Sequence, residues 1–256
     1  MAHASVCSYI SHVRNKWVVF RSFVGSVNII QSERVRVLNR AEIENRVYVL
    51  YWMQASQRTE YNHALEYAIL RANELDKPLL VYFGLTGNYP GANARHYSFM
   101  LEGLKEVQTS LEARGVRMVI RRSSPEVGAV ELSRDASLVV VDRGYLKIQR
   151  GWVSHVAEYI DCPLIQVETN VIVPVGEASP KEEYSAATIR PKIMKKLNYY
   201  LVPMRQNRVK KNSLHLDLDT LDIDDIAEIV SSLGIDLSVE GVTIITEELQ
   251  RPSDIF

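Results

Sequence analysis

Val47–Leu75, VYVLYWMQASQRTEYNHALEYAILRANEL, changes its hydrophobic period in the middle. Val47–Trp52 is a continuous apolar and aromatic run, as suits a strand covered on both faces of a sheet. Polar residues follow at Gln54–Glu60. Then Tyr61, Ala64, Leu65, Ala68, Ala72 and Leu75 recur at three- and four-residue steps, the stripe of an amphipathic helix. Asp76-Lys77-Pro78 stops that helix, because proline cannot continue it. Leu79–Gly84, LLVYFG, reads as a second buried strand. Strand, helix and strand in this order make a βαβ unit, whose crossover is almost always right-handed.

The theme repeats downstream. Thr86–Ala94 is a turn-rich loop, and Tyr97, Met100, Leu101, Leu104, Val107 and Leu111 stripe a long helix that Gly115 ends. Val116–Ile120 reads as strand three. Ser124-Pro125-Glu126 opens a short helix, with serine as cap and proline in the first turn. Leu138–Asp142 reads as strand four, Trp152–Ile160 as a helix stripe and Leu164–Val167 as strand five. This predicts an α/β fold built on a five-stranded, doubly wound parallel sheet of the Rossmann-like type. With strand order 3-2-1-4-5, the order reverses between strands one and four. Ligands of such sheets sit there, at the carboxyl ends of the strands. Trp52–Arg58 and Asp142–Gln149 are the loops at that point.

The ends are less regular. Residues 1–33 hold the apolar stretch Trp17–Ile30 behind Arg14 and Lys16, which raises a secretory signal; Arg21 inside it and the want of a clean cleavage site favour a plain N-terminal extension. Residues 34–180 are assigned to the α/β domain and 181–239 to a helix and linker. Lys181–Leu201 reads as a helix interrupted near Pro191. Ser213–Ile235 begins as a linker lying on a surface and ends as a short helix. The tail, 240–256, adds no core of its own.

In 256 residues the hydrophobic share is 46%, enough for one sizeable core, and the net charge of −1 does not by itself argue for a nucleic-acid partner. Cys7 and Cys162 lie too far apart to suggest a metal motif or disulfide framework, so a reducing, cytoplasmic setting is expected. No apolar run reaches the roughly 18 residues of a membrane span.

The loop MQASQR has no glycine, which argues against a dinucleotide bound in the usual glycine-rich manner. Gln54, Ser56 and Arg58 can hydrogen-bond a flat, polar-edged ligand, or cap the helix and bridge loops. In DRGYLKIQR, Asp142 can accept hydrogen bonds, Tyr145 can stack on a flat ligand, and Arg143 can pair with Asp142 to pin the loop. His63, His96 and His155 each lack a second ligand at metal spacing, so no metal is expected. No GxSxG nucleophile elbow occurs. Lys192, Lys195, Lys196, Arg205, Arg208, Lys210 and Lys211 form a basic cluster that suits either DNA or a solvated face.

Longer strings carry a resemblance. YWMQASQR, NHALEYAILRANELDKPLLVYFGLT, ANARHYSFMLEGLKEVQTSLEARG, VVVDRGYLKIQRGW, QVETNVIVPV and KEEYSAATIRPKI resemble the N-terminal domain of class II DNA photolyases, and the likeness runs over about Val47–Val239. It implies light-driven splitting of cyclobutane pyrimidine dimers by electron transfer from reduced FAD. It also implies an antenna pigment, a deazaflavin or FMN, in the α/β domain. In that family a C-terminal helical domain holds the FAD and receives the dimer flipped out of UV-damaged DNA. The sequence stops at VTIITEELQRPSDIF, about where that domain should begin. The expectation is therefore an antenna domain that is inactive alone, with the FAD site elsewhere, in a separately encoded partner if the gene is split. Met53, Gln54, Arg58, Asp142, Arg143 and Tyr145 are the expected pigment contacts; no catalytic residue is assigned. Two rivals share the fold: a stand-alone light-harvesting or regulatory module, and an electron-transfer flavoprotein-like nucleotide binder.

Overall fold

The computed structural model describes residues 30–238. The extension, but for its last four residues, and the tail 240–256 lie outside the described residues. In chain order the strands are β1 (Val35–Val37), β2 (Tyr48–Trp52), β3 (Leu79–Gly84), β4 (Arg117–Arg121), β5 (Ala136–Asp142) and β6 (Leu164–Val167). The helices are α1 (His63–Glu74), α2 (Ala94–Ala113), α3 (Pro125–Ser133), α4 (Lys147–Tyr159), α5 (Val175–Ala178), α6 (Ala186–Tyr200) and α7 (Ile226–Ser232).

The sheet has six strands in the order β1-β6-β5-β2-β3-β4. Its five parallel members, β2 to β6, keep the order expected of the repeats, with the reversal between β2 and β5. The expected count of five is corrected by β1, which pairs antiparallel with β6 and places Val35 opposite Val167. A three-residue strand, half-buried at Val35 and exposed at Arg36 and Val37, has neither the length nor the apolar run that marks its neighbours.

Successive strand residues face opposite ways, so each central strand feeds two cores. Val49, Tyr51, Leu79 and Val81 pack with α1, α2 and the distant α7. Leu50, Trp52, Leu80 and Tyr82 pack with α3 and α4. Every residue of β2 is buried, and each large side chain there contributes about 1.5–3 kcal/mol on leaving water.

Asn62 caps α1 by accepting the Leu65 N–H at 2.9 Å, and Asp76 turns the chain left-handed after it, with φ 53°. Gly115 does the same after α2 at φ 74°. The segment after residue 212 lies along the outer edge of β4. Ser213 Oγ accepts the Arg117 N–H at 2.7 Å, and the Leu221 N–H reaches the Ile120 carbonyl at 2.7 Å. An open edge is thereby covered. α6 runs through Pro191 rather than breaking there.

Candidate functional site

A cleft of about 480 Å³ opens at the carboxyl ends of β2 and β3. Met53, Gln54, Ala55 and Gln57, from the loop after β2, form one side. Thr86, Tyr89, Pro90 and Ala92, from the loop after β3, form another, and His96, Tyr97 and Met100 of α2 continue it. Pro125 at the start of α3, with Gln149 and Trp152 of α4, completes the wall. Tyr89 and Trp152 meet with ring centroids 6.1 Å apart, tilted by 57°. Such aromatic, mainly apolar walls suit a flat ligand, and the volume falls in the ~300–1,000 Å³ range of small-molecule sites.

The loop carrying Gln54 is fixed from below. The backbone N–H groups of Gln54, Ala55 and Ser56 donate to the Asp142 carboxylate at 2.8, 2.7 and 2.6 Å. Asp142 is wholly buried; burial pushes its carboxyl pKa up, and the three N–H donors pull it back. From the other side the Asn62 amide donates to the carbonyls of Ser56 and Arg58 at 3.0 and 2.9 Å. Gln57 Nε2 donates to the Gln54 carbonyl at 3.0 Å.

Inside this fixed frame the Gln54 side chain stands apart. The residue is 7% exposed, and neither its Oε1 nor its Nε2 has a hydrogen-bond partner. Several other polar groups at the cleft are engaged. Tyr97 donates to the Thr86 carbonyl at 2.6 Å, His96 Nδ1 meets Asn93 at 2.7 Å, and Gln149 Oε1 accepts the Leu146 N–H at 3.3 Å.

The six residues expected from the sequence therefore separate. Met53 and Gln54 line the cleft. Asp142 holds the loop beneath it. Arg58 bonds Asn170 Oδ1 at 2.9 Å and the carbonyls of Tyr61 and Thr169 at 3.3 Å each. Arg143 pairs with Glu168 at 2.8 Å rather than with Asp142, and Tyr145 donates to the same carboxylate at 2.6 Å. Burial, with that hydrogen bond, raises the Tyr145 pKa. Arg58, Arg143 and Tyr145 thus have protein partners outside the cleft wall. Tyr89, Tyr97, Met100 and Trp152 were not singled out as contacts by the sequence. The cluster Thr86-Gly87-Asn88-Tyr89-Pro90 was the available signal, as a long loop next to a strand end.

Of the basic cluster, Lys192 bonds Glu183, Lys196 pairs with Glu177 at 2.7 Å and Lys211 with Asp76 at 2.8 Å. Those charges face protein carboxylates. Among the described residues no group of three or more His, Cys, Asp or Glu is placed to hold a metal, and no helix is long and apolar enough to cross a membrane.

The sequence pattern of the DNA photolyase family matches residues 49–209. A deoxyribodipyrimidine photo-lyase of Methanothermobacter thermautotrophicus is 52% identical over 190 residues, covering 74% of this chain and 43% of that protein. One from Potorous tridactylus is 34% identical, covering 66% of this chain and 33% of that protein. The chain thus spans less than half the length of these curated relatives. In fold it is similar to an archaeal photolyase from Sulfolobus tokodaii, described with two FAD molecules and the implication of a novel light-harvesting cofactor. That likeness has a TM-score of 0.57 at 15% identity, and covers 76% of this chain and 44% of that one. The match over residues 49–209 spans the parallel strands, the helices between them and the loops that build the cleft, and on it the chain belongs to the DNA photolyase family.

Proposed function

We propose that this chain is the pigment-holding α/β domain of a class II deoxyribodipyrimidine photolyase, an intracellular light-dependent DNA repair enzyme. The observation that carries the reading is the aromatic cleft with an unpartnered, buried Gln54 carboxamide, set at the strand ends of a photolyase-family domain. The class follows the strings YWMQASQR and VVVDRGYLKIQRGW. The two FAD molecules described for the Sulfolobus tokodaii neighbour support a pigment besides the catalytic one.

The chain's own residues fit a deazaflavin or FMN. Tyr89, Tyr97 and Trp152 offer ring surfaces, Met53 and Met100 pack as adaptable thioethers, and Gln54 supplies a donor and an acceptor. When bound, the pigment absorbs light and passes excitation on. The protein's part is to orient it and exclude water. Dimer splitting by reduced FAD, and the grip on UV-damaged DNA, are assigned to the part of the relatives that these 256 residues do not span.

Fluorescence titration with FMN and with 5-deazariboflavin tests the pigment role; saturable binding of at least one is expected, and none would overturn it. A light-driven repair assay with added FAD tests the division of labour. This chain alone is expected to give no turnover, and robust turnover would overturn that part. A stand-alone light-harvesting module is the second reading; it is favoured over the first if pigment binds but a separately produced FAD-binding portion of a class II photolyase gains nothing from this chain.

A further inference from the structure

We infer that Gln54 is the residue that selects the ligand of the cleft, by reading a cyclic amide edge in which an N–H stands beside a C=O. This rests on the pigment reading of the cleft. Three observations converge on it. Gln54 lines the cleft while both polar atoms of its side chain lack partners; the other buried orphans among the described residues are single atoms, such as Trp52 Nε1 and His63 Nδ1. The Gln54 backbone is held at both ends, its N–H by Asp142 and its C=O by Gln57, so the side chain is presented from a fixed point. The Tyr97 hydroxyl, His96 Nδ1 and Gln149 Oε1 are committed to the protein, whereas both polar atoms of Gln54 remain to pair with what enters.

A carboxamide offers one acceptor oxygen and one NH₂ donor side by side. Its complement is a ring edge with a donor next to an acceptor. The pyrimidinedione ring of flavins and deazaflavins has such an edge, with N3–H between two carbonyls. A ligand with that edge supplies the partners both Gln54 atoms lack, and one without it leaves them as they are. A purely apolar pigment of the same shape gains nothing from the carboxamide and is held less well.

The test measures the affinity of riboflavin, 5-deazariboflavin and N3-methylriboflavin for the full chain and for Gln54→Leu. The full chain is expected to prefer riboflavin over its N3-methyl form by about 10- to 100-fold, in line with about one hydrogen-bonded edge lost. In Gln54→Leu the preference falls to within about twofold. Thermal denaturation without ligand gives a second readout. Gln54→Leu removes two unpaired polar atoms, so it should melt at or above the temperature of the parent chain, whereas a structural role for the carboxamide would lower it. Equal affinity of the parent chain for both forms, or a preference that survives in Gln54→Leu, overturns the inference while leaving the pigment site standing. Binding of none of the three overturns the pigment site and the inference together.

Discussion

Asp142, the last residue of β5, accepts the backbone N–H of Ser56 at 2.6 Å, and so fastens the loop after β2 to the strand beside it. Gln54 and Ala55 donate to the same carboxylate. Asp142→Asn keeps the shape but puts an NH₂ where an N–H must be accepted. A buried donor then loses its partner, and a cost of about 2–4 kcal/mol is expected in urea unfolding. Pigment affinity should fall as well, because Gln54 is no longer held in place.

Glu66 and Arg114 pair at 2.7 Å with side chains only 2% and 12% exposed, and Glu66 also accepts the Asn207 N–H at 2.6 Å. The pair ties α1 and α2 to the connector that follows α6. Arg114→Met leaves a buried carboxylate without its cation and should cost about 3–5 kcal/mol. Adding Glu66→Leu removes the stranded charge, so the double variant should regain part of the loss. A double variant less stable than the single one would contradict a paired role.

His63 begins α1, and burial, with Arg34 and Arg58 adding repulsion, lowers its pKa to about 4. The unfolded chain takes up this proton near pH 6.5 and the folded chain only near pH 4. Stability from neutral His63 is thus complete above pH 6.5 and drains away as pH falls towards 4, by at most about 3 kcal/mol. His63→Gln should flatten that part of the stability curve measured by denaturant unfolding across pH 4–7.

Gly84 ends β3 where α3 begins to pass over it. A Cβ there would lie 2.5 Å from Pro125 Cα and 2.7 Å from the Tyr82 hydroxyl. Gly84→Ala must push back the start of α3, at about 1–3 kcal/mol. Pro125 also lines the cleft, so calorimetry should show weaker pigment binding together with the lower stability.

Much of the architecture was legible in the residues. Continuous runs such as Leu79–Gly84 have no polar face to misread, and Asn62, Ser124-Pro125 and Gly115 punctuate the helices between them. β1 escaped because Val35–Val37 is short, largely exposed and paired to a strand far along the chain. The site was legible only in part. The reversal rule points to the junction of β2 and β5, but Asp142 fills that junction with its own hydrogen bonds, and the cleft opens on the β3 side. An aspartate that binds ligand and one that binds backbone amides look alike in sequence. Tyr89 and Trp152, more than sixty residues apart, become partners only once the sheet brings their elements together.

The central claim is that the cleft between the loops after β2 and β3 holds a flat pigment. Titration of the chain with FMN and with 5-deazariboflavin, followed by the pigment's own fluorescence and repeated in Ala92→Trp, tests it most directly. Saturable binding in the parent chain that is lost when the bulky side chain fills the cleft is the expected result. Absence of binding, or binding of undiminished strength in Ala92→Trp, would contradict it.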